Sequence, residues 1–301
     1  MAAPLIYSSS PCKLNTTVMA ATDLRLSANI ASQVYQHSGN LFPSVAVLSG
    51  AIPRIAFKTP IKDALTVIGT GLLALTNLDF MLAKFSNSTF IKATTSVHTK
   101  WNASSGCAYI SGWSIGQGGI CLADVDVVPL STDGTTHPLT RSDNNAMLTL
   151  SSEPILHTLG PLSVNGSVIT GLNQLSVAMN HTLDVRVSDG DLYPRNAALL
   201  AGSPTITGEH LDPATLLTTL SLIGVNISAN VIAYWKSFDV TTQIVSTANS
   251  VSAAIASGRI VAENIDAGQN NPAKSAIHVI PLSSTATHPL VTSIAATAPS
   301  T

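Results

Sequence analysis

Charge is what this sequence has least of. Only 10% of its 301 residues are Asp, Glu, Lys or Arg, where an average soluble chain carries about 25%. Lysine and arginine (14) nearly balance aspartate and glutamate (16), for a formal net charge of −2 and a pI of about 6.4. Without a basic surplus there is no electrostatic footprint for gripping phosphate, which argues against a nucleic-acid-binding module. Aromatics are also scarce, at 5%, and Trp101, Trp113 and Trp235 are the only tryptophans. They form no stacking ladder for sugars or single strands and read as core or interface anchors. Cys12, Cys107 and Cys121 are too few, and odd in number, for a disulfide framework.

Sorting and membrane signals are equally thin. Met1 to Pro11 has no basic opening and no apolar core of about 7–15 residues, so no signal peptide is expected. The most apolar run, Ala64 to Ala83, has the ~20-residue length of a membrane helix. Asn77 and Asp79 lie inside it, and Gly69 and Gly71 interrupt it, so a short core helix followed by a strand is expected and no membrane partner. With 45% hydrophobic residues and a mean hydropathy of +0.34, the chain is not disordered. Its surface must be covered by Ser, Thr, Asn, Gly and Ala, or be buried against other copies. So little charge suits a free monomer poorly and hints at assembly.

What the sequence does have is internal repetition. Shifted by 151 residues, Leu24 falls on Leu175, Asn29 on Asn180, Gly39 on Gly190, Pro43 on Pro194, Pro53 on Pro204, Ile55 on Ile206 and Leu65 on Leu216. At the other end of each half, His137-Pro138-Leu139 matches His288-Pro289-Leu290 at the same offset, and Pro129-Leu130-Ser131 matches Pro281-Leu282-Ser283 at 152. Two ordered blocks at one spacing imply a duplication, with each unit near the usual size of one domain. The expected organisation is an N-terminal arm (1–14), a β-rich unit (15–150), a linker (151–162) and a second β-rich unit (163–301).

Within each unit the pattern is mainly β. Asp23 to Gln36 and its counterpart Asn173 to Val187 alternate as half-buried strands. Thr59-Pro60 and Asp212-Pro213 read as a cap followed by proline at the first helical position, opening a short helix that Gly69 and Gly71, or Gly224, would stop. Strands are expected over 77–86 and 230–240, and over Cys107–Leu130 and Gly258–Leu282 with Gly/Asn turns between. The predicted fold is two tandem homologous β-sandwich or barrel-like domains, each with one or two short helices.

Chemical motifs are missing. There is no C-x-x-C, H-E-x-x-H, phosphate loop or nucleophile elbow. Gly116-Gln117-Gly118-Gly119 reads as a turn. The eight histidines never stand at metal-ligand spacing, and the repeated His137/His288 before proline reads as a structural corner. Asp124 with Asp126, and Asp189 with Asp191, lack a partner base in the sequence. The expectation is no enzyme, with no catalytic, cofactor-binding or metal-binding residue and no cofactor.

Two stretches, Leu48 to Leu65 (LSGAIPRIAFKTPIKDAL) and Val127 to Thr140 (VVPLSTDGTTHPLT), sit in an order of features that resembles virion structural proteins of tailed phages, in particular tail tube proteins. The resemblance implies a β-sandwich with a flanking helix, six of which close a ring, with rings stacking into a DNA conduit. A chain with two such domains implies a pseudo-sixfold ring from three chains. It also implies self-association, contact with other virion proteins, DNA passing through a lumen without specific binding, and a location in the virion. No long inter-ring loop is evident. The alternatives are another virion component (capsid decoration, minor capsid, tail terminator or fibre module) or a carbohydrate- or cell-binding β-sandwich module.

Overall fold

Alternation of buried and exposed residues dominates the structure, a computed structural model that describes residues 7–9, 11–36, 38, 42, 45–85, 97–212, 224–268, 271–283 and 287–300. The chain is mainly β, with 63% of residues in strands, several sheets and, among the described residues, one short helix. The N-terminal half runs β1 (Tyr7–Ser9), β2 (Cys12–Leu14), β3 (Thr17–Met19), β4 (Thr22–Ser27), β5 (Ile30–Tyr35), β6 (Val45–Ala51), β7 (Arg54–Pro60), α1 (Ile61–Val67), β8 (Leu73–Leu75), β9 (Leu78–Lys84), β10 (His98–Ala103), β11 (Gly106–Gly116), β12 (Leu122–Pro129) and β13 (Thr140–Asn145). The C-terminal half runs β14 (Leu156–Val164), β15 (Ser167–Ile169), β16 (Leu172–Ala178), β17 (His181–Arg186), β18 (Asn196–Gly202), β19 (Thr205–His210), β20 (Val225–Asn226), β21 (Val231–Asp239), β22 (Ile244–Ile255), β23 (Gly258–Gly268), β24 (Asn271–Pro281) and β25 (Leu290–Ala296).

The strands pair in the same way in both halves. The order β13-β10-β9-β2-β3 has its counterpart in β25-β22-β21-β14-β15. The order β11-β12-β7-β4 is matched by β23-β24-β19-β16, and the hairpin β5–β6 by β17–β18. Register agrees as well as order. Ile110 and Gly112 flank an irregularity in β11, as Ala262 and Asn264 do in β23, five positions into each strand.

Turn chemistry repeats at the same places. Asn15 and Asn165 both hold positive φ (53° and 49°). Each side-chain oxygen accepts from a backbone amide across the fold, Thr76 at 2.8 Å and Ser228 at 2.9 Å. Asparagine tolerates this conformation because its short amide bonds locally. The side chains of Asn29 and Asn180 donate to the carbonyls of Ile52 and Ser203, and both residues break the chain between strands with positive φ. The amides of Leu139 and Leu290 donate to Nδ1 of His137 and His288, which are corner residues.

Several local expectations need correction. Asp23 to Gln36 is not one half-buried strand. Asn29 divides it into β4 and β5, and every residue of β5 is exposed. Thr59 does not cap α1; it lies within β7 with its hydroxyl buried and unpartnered, and Pro60 ends the strand at the cap position with Ile61 starting the helix. Gly69, at φ +73°, closes the helix as expected, its amide bonded to Leu65. The matching helix expected after Asp212 lies outside the described residues, as do Gly39 and Pro43. Residues 12–14, at the end of the expected arm, form a strand that pairs with β3 and β9. The expected linker 151–162 enters β14 at Leu156 and is half strand. Ala64 to Ala83 divides into the end of α1, then β8 and most of β9. No helix among the described residues is long and apolar enough to cross a membrane.

Candidate assembly interface

The two halves are sewn together by main-chain bonds. Strand β11 of the first half pairs antiparallel with β16 of the second from Gly112↔Ala178 to Gly116↔Gln174, which fuses two four-strand blocks into one ten-stranded sheet. Close approach at its end requires a glycine. A β-carbon on Gly112 would lie 2.6 Å from the Val177 carbonyl oxygen. Next to this seam, the loop that follows β17 docks on the loop that follows β12. The amides of Leu192 and Tyr193 both donate to the Gly134 carbonyl (2.7 and 2.9 Å), and Ser131 donates to Pro194 (2.8 Å). The helix α1 lies against β14 and β25, and the Cys121 amide donates to His157.

Sparse aromatics are concentrated here. Trp113 and Trp235 meet edge to face at 5.7 Å and His137 and Tyr193 at 5.1 Å, while Tyr109 and His181 lie tilted at 5.8 Å, each pair with one ring from each half. Aromatic pairs of this geometry contribute about 0.5–1.5 kcal/mol beyond area burial. Burial lowers the basicity of His157, and Lys62 nearby adds to that. Burial does the same to His181, with His288 adding like-charge repulsion.

The strands at the corresponding places in the sheet order have a free side among the described residues. The second half's equivalent of β11 is β23, and the first half's equivalent of β16 is β4. Among the described residues β4 pairs only with β7, and beyond Ile260 β23 pairs only with β24. Positions that the seam buries in one half are open in the other. Val177 is 2% exposed, whereas its counterpart Leu26 is 49% exposed. Leu24, Leu26, Ile55, Phe80, Leu82, Trp101 and Leu139 line an apolar pocket of about 190 Å³ beside β4. Their counterparts by register are Leu175, Val177, Ile206, Ala233, Trp235, Ala253 and Leu290, all fully or almost fully buried. The covering groups there are Trp113 and the neighbouring part of the first half.

The two-stranded hairpins are the other exposed apolar feature. β5–β6 presents Ile30, Val34, Tyr35, Val45, Val47 and Leu48 to solvent, and Phe42 beyond it is 77% exposed. An isolated two-stranded hairpin is marginal in water, and apolar faces of this kind mark contact surfaces.

The residues considered for chemistry sit apart from one another. Gly116–Gly119 forms the turn between β11 and β12, with Gly118 at φ +76°. All three cysteines are buried and unpaired; burial pushes the Cys12 thiol up to about 12 and Cys107 to about 11, which leaves little reactive thiolate. Asp124 pairs with Lys58 at 3.9 Å on an open sheet face, and Asp191 lies against Gly134 in the loop contact. No three His, Cys, Asp or Glu side chains converge on a possible metal position among the described residues. Sequence reasoning identified the tryptophans as anchors but missed the unequal covering of the halves. The chain matches no known protein-family model and no curated protein.

Proposed function

We propose that the chain is two copies of one β unit in tandem and serves as a non-enzymatic structural protein of a virion. In this reading it closes into a ring and stacks as the tube of a phage tail, with three chains giving a pseudo-sixfold ring. The observation that carries it is the seam between the halves together with its uncovered counterparts at the two ends of the chain. An interface whose two sides are different surfaces, each left free once per chain, is heterologous, and such contacts propagate until they close. Unpaired strand edges are a liability that closure of the sheet removes.

The outer face of the ten-stranded sheet fits a conduit that does not hold its cargo. By register, Arg25, Arg54, Lys58, Arg259 and Lys274 share that face with Asp124, Asp126 and Glu209. Lys58 is paired with Asp124 and Lys274 with Glu209, the latter at 3.0 Å. Basic groups interspersed with acidic ones and partly paired to them give DNA phosphates no continuous basic track. Stacking of rings would employ surfaces such as the exposed β5–β6 and β17–β18 hairpins. Within a host cell such a chain would assemble in the cytoplasm and end up in the virion, beside other virion proteins.

Negative-stain microscopy of the purified protein tests this reading. Rings or tubes are the expected result. Particles that stay single-chain in size at every concentration would reject it.

A further inference from the structure

We infer that the cleft between the end of β18 and the corner loop that follows β24 is a chain-to-chain docking site, and that its occupant is Phe42 of a second copy of this chain. This inference rests on the ring reading above and gives that contact its partner and its anchor.

The cleft is a cavity of about 540 Å³, with Leu199, Leu200 and Gly202 on one wall and Pro281, His288 and Pro289 on the other. A volume of this size takes a large side chain together with its neighbours. No Asp, Glu, Lys or Arg lines it, so an uncharged, apolar group enters it without leaving a buried charge unpaired. Leu200, on the first wall, is 64% exposed and gains from being covered. The cleft also runs on from the join between the halves. Gly71 of the first half lines it, the His288 ring meets His181 at 6.1 Å, and His181 meets Tyr109 across the join at 5.8 Å.

Phe42, between β5 and β6, is an anchor without a pocket. Its side chain is 77% exposed, whereas Phe57 and Phe80 are buried and Phe85 and Phe238 are half-buried. Aromatic side chains seated in fitted pockets carry much of the energy of protein interfaces. Neither the open cleft nor the exposed ring depends on the repeat; both are features of the chain as it stands.

The repeat says which goes into which, because the chain fills the other such cleft itself. In the first half the walls are the end of β6 and the loop after β12, and the occupant is the segment between β17 and β18 of the second half. The Ala51 amide donates to the Leu192 carbonyl on one wall, the Ser131 amide donates to the Pro194 carbonyl on the other, and Tyr193 packs edge to face on His137 at 5.1 Å. Tyr193 is half-buried there and Pro194 buried. Phe42 holds the place of Tyr193 at the offset of 151, and His288 that of His137. Each half thus receives the aromatic of the half that follows it. For the second half, the half that follows is the first half of another copy.

Thiol cross-linking and assembly measurements test this contact. Phe42→Cys and Leu200→Cys replace exposed residues, and the three native cysteines are buried. Mixed in equal amounts and treated with a short bis-maleimide, the two variants are expected to give a covalent dimer. Neither variant alone should give it, and Phe42→Cys mixed with Val168→Cys, an exposed position outside the cleft, should give far less. In sedimentation, Phe42→Ala should raise the concentration needed for assembly about thirtyfold. Phe42→Tyr should restore assembly, Leu200→Asp should weaken it, and none of the three should shift the unfolding midpoint of the single chain. Particles that form without the cross-link, and that neither Phe42→Ala nor Leu200→Asp weakens, would overturn the contact and leave the ring reading standing. A cross-linked dimer without closed particles would support the contact and overturn the ring. Single chains at every concentration, with no cross-link, would overturn both.

Discussion

Trp113 and Trp235 lie edge to face with ring centroids 5.7 Å apart, both fully buried, one on each side of the join between the halves. Two of the three tryptophans of the chain are thus placed in a single contact. Truncating Trp113 to alanine removes its own burial and uncovers Trp235, Val177 and their neighbours. The expected cost is about 3–5 kcal/mol, measured by denaturant unfolding. A double-mutant cycle with Trp235→Ala should give a coupling clearly above zero. Additive effects would show that the rings do not depend on each other.

The loop contact can be disturbed without touching either core. Gly134 holds φ +76°, and a β-carbon there would lie 2.1 Å from the Asp191 carboxylate. Gly134→Ala should therefore loosen the loop around Leu192 and Tyr193 while leaving most of the sheet intact. Hydrogen exchange is expected to rise at the amides of Leu192 and Tyr193, which donate to Gly134. Unchanged protection at those two amides would contradict the assigned docking.

Acid should weaken the join. His157 and His181 are held below the ordinary histidine range, chiefly by burial, so the folded chain resists protonation that the unfolded chain accepts. For a depressed folded-state value the unfolded state binds more protons as pH falls, and stability falls with it. Stability should be flat above the unfolded histidine value of about 6.5 and decline below it. Unfolding midpoints measured between neutral and mildly acidic pH check this. His157→Gln should flatten the slope, and an unaltered slope in both His157→Gln and His181→Gln would remove histidine as its cause.

The paired asparagine turns predict equal sensitivity in the two halves. Asn15→Ala and Asn165→Ala each place alanine at positive φ and remove a bond to a backbone amide. Each should cost about 1–2 kcal/mol. Glycine at either place should recover part of that loss by removing the strain alone. Strongly unequal penalties, measured by thermal or denaturant unfolding, would mean that the two turns do not do the same job.

Much of the strand pattern was legible because half-buried strands write alternation into the sequence, as in Thr205–His210 and Leu122–Pro129. The spacing of 151 was legible because residues with fixed duties recur, namely turn asparagines, corner histidines and prolines. The first hairpin was misread for a physical reason. Ile30–Tyr35 continues the alternation of a half-buried strand, but all its residues are exposed, so composition alone points inward. The cap at Thr59 was misread because β7 continues straight into α1 and takes Thr59 as its own. The join was invisible from sequence, since Trp113 carries no local mark that its partner is Trp235, 122 positions away. Open edges are a property of the sheet order, which no single segment encodes.

Sedimentation equilibrium over a wide concentration range weighs the assembled particle itself. Closed rings of three chains predict a species at three times the 31.1 kDa chain mass, or multiples of it where rings stack, with no open-ended series of intermediate sizes. A single species of one chain mass at every concentration would contradict the assembly, and with it the function proposed for this protein.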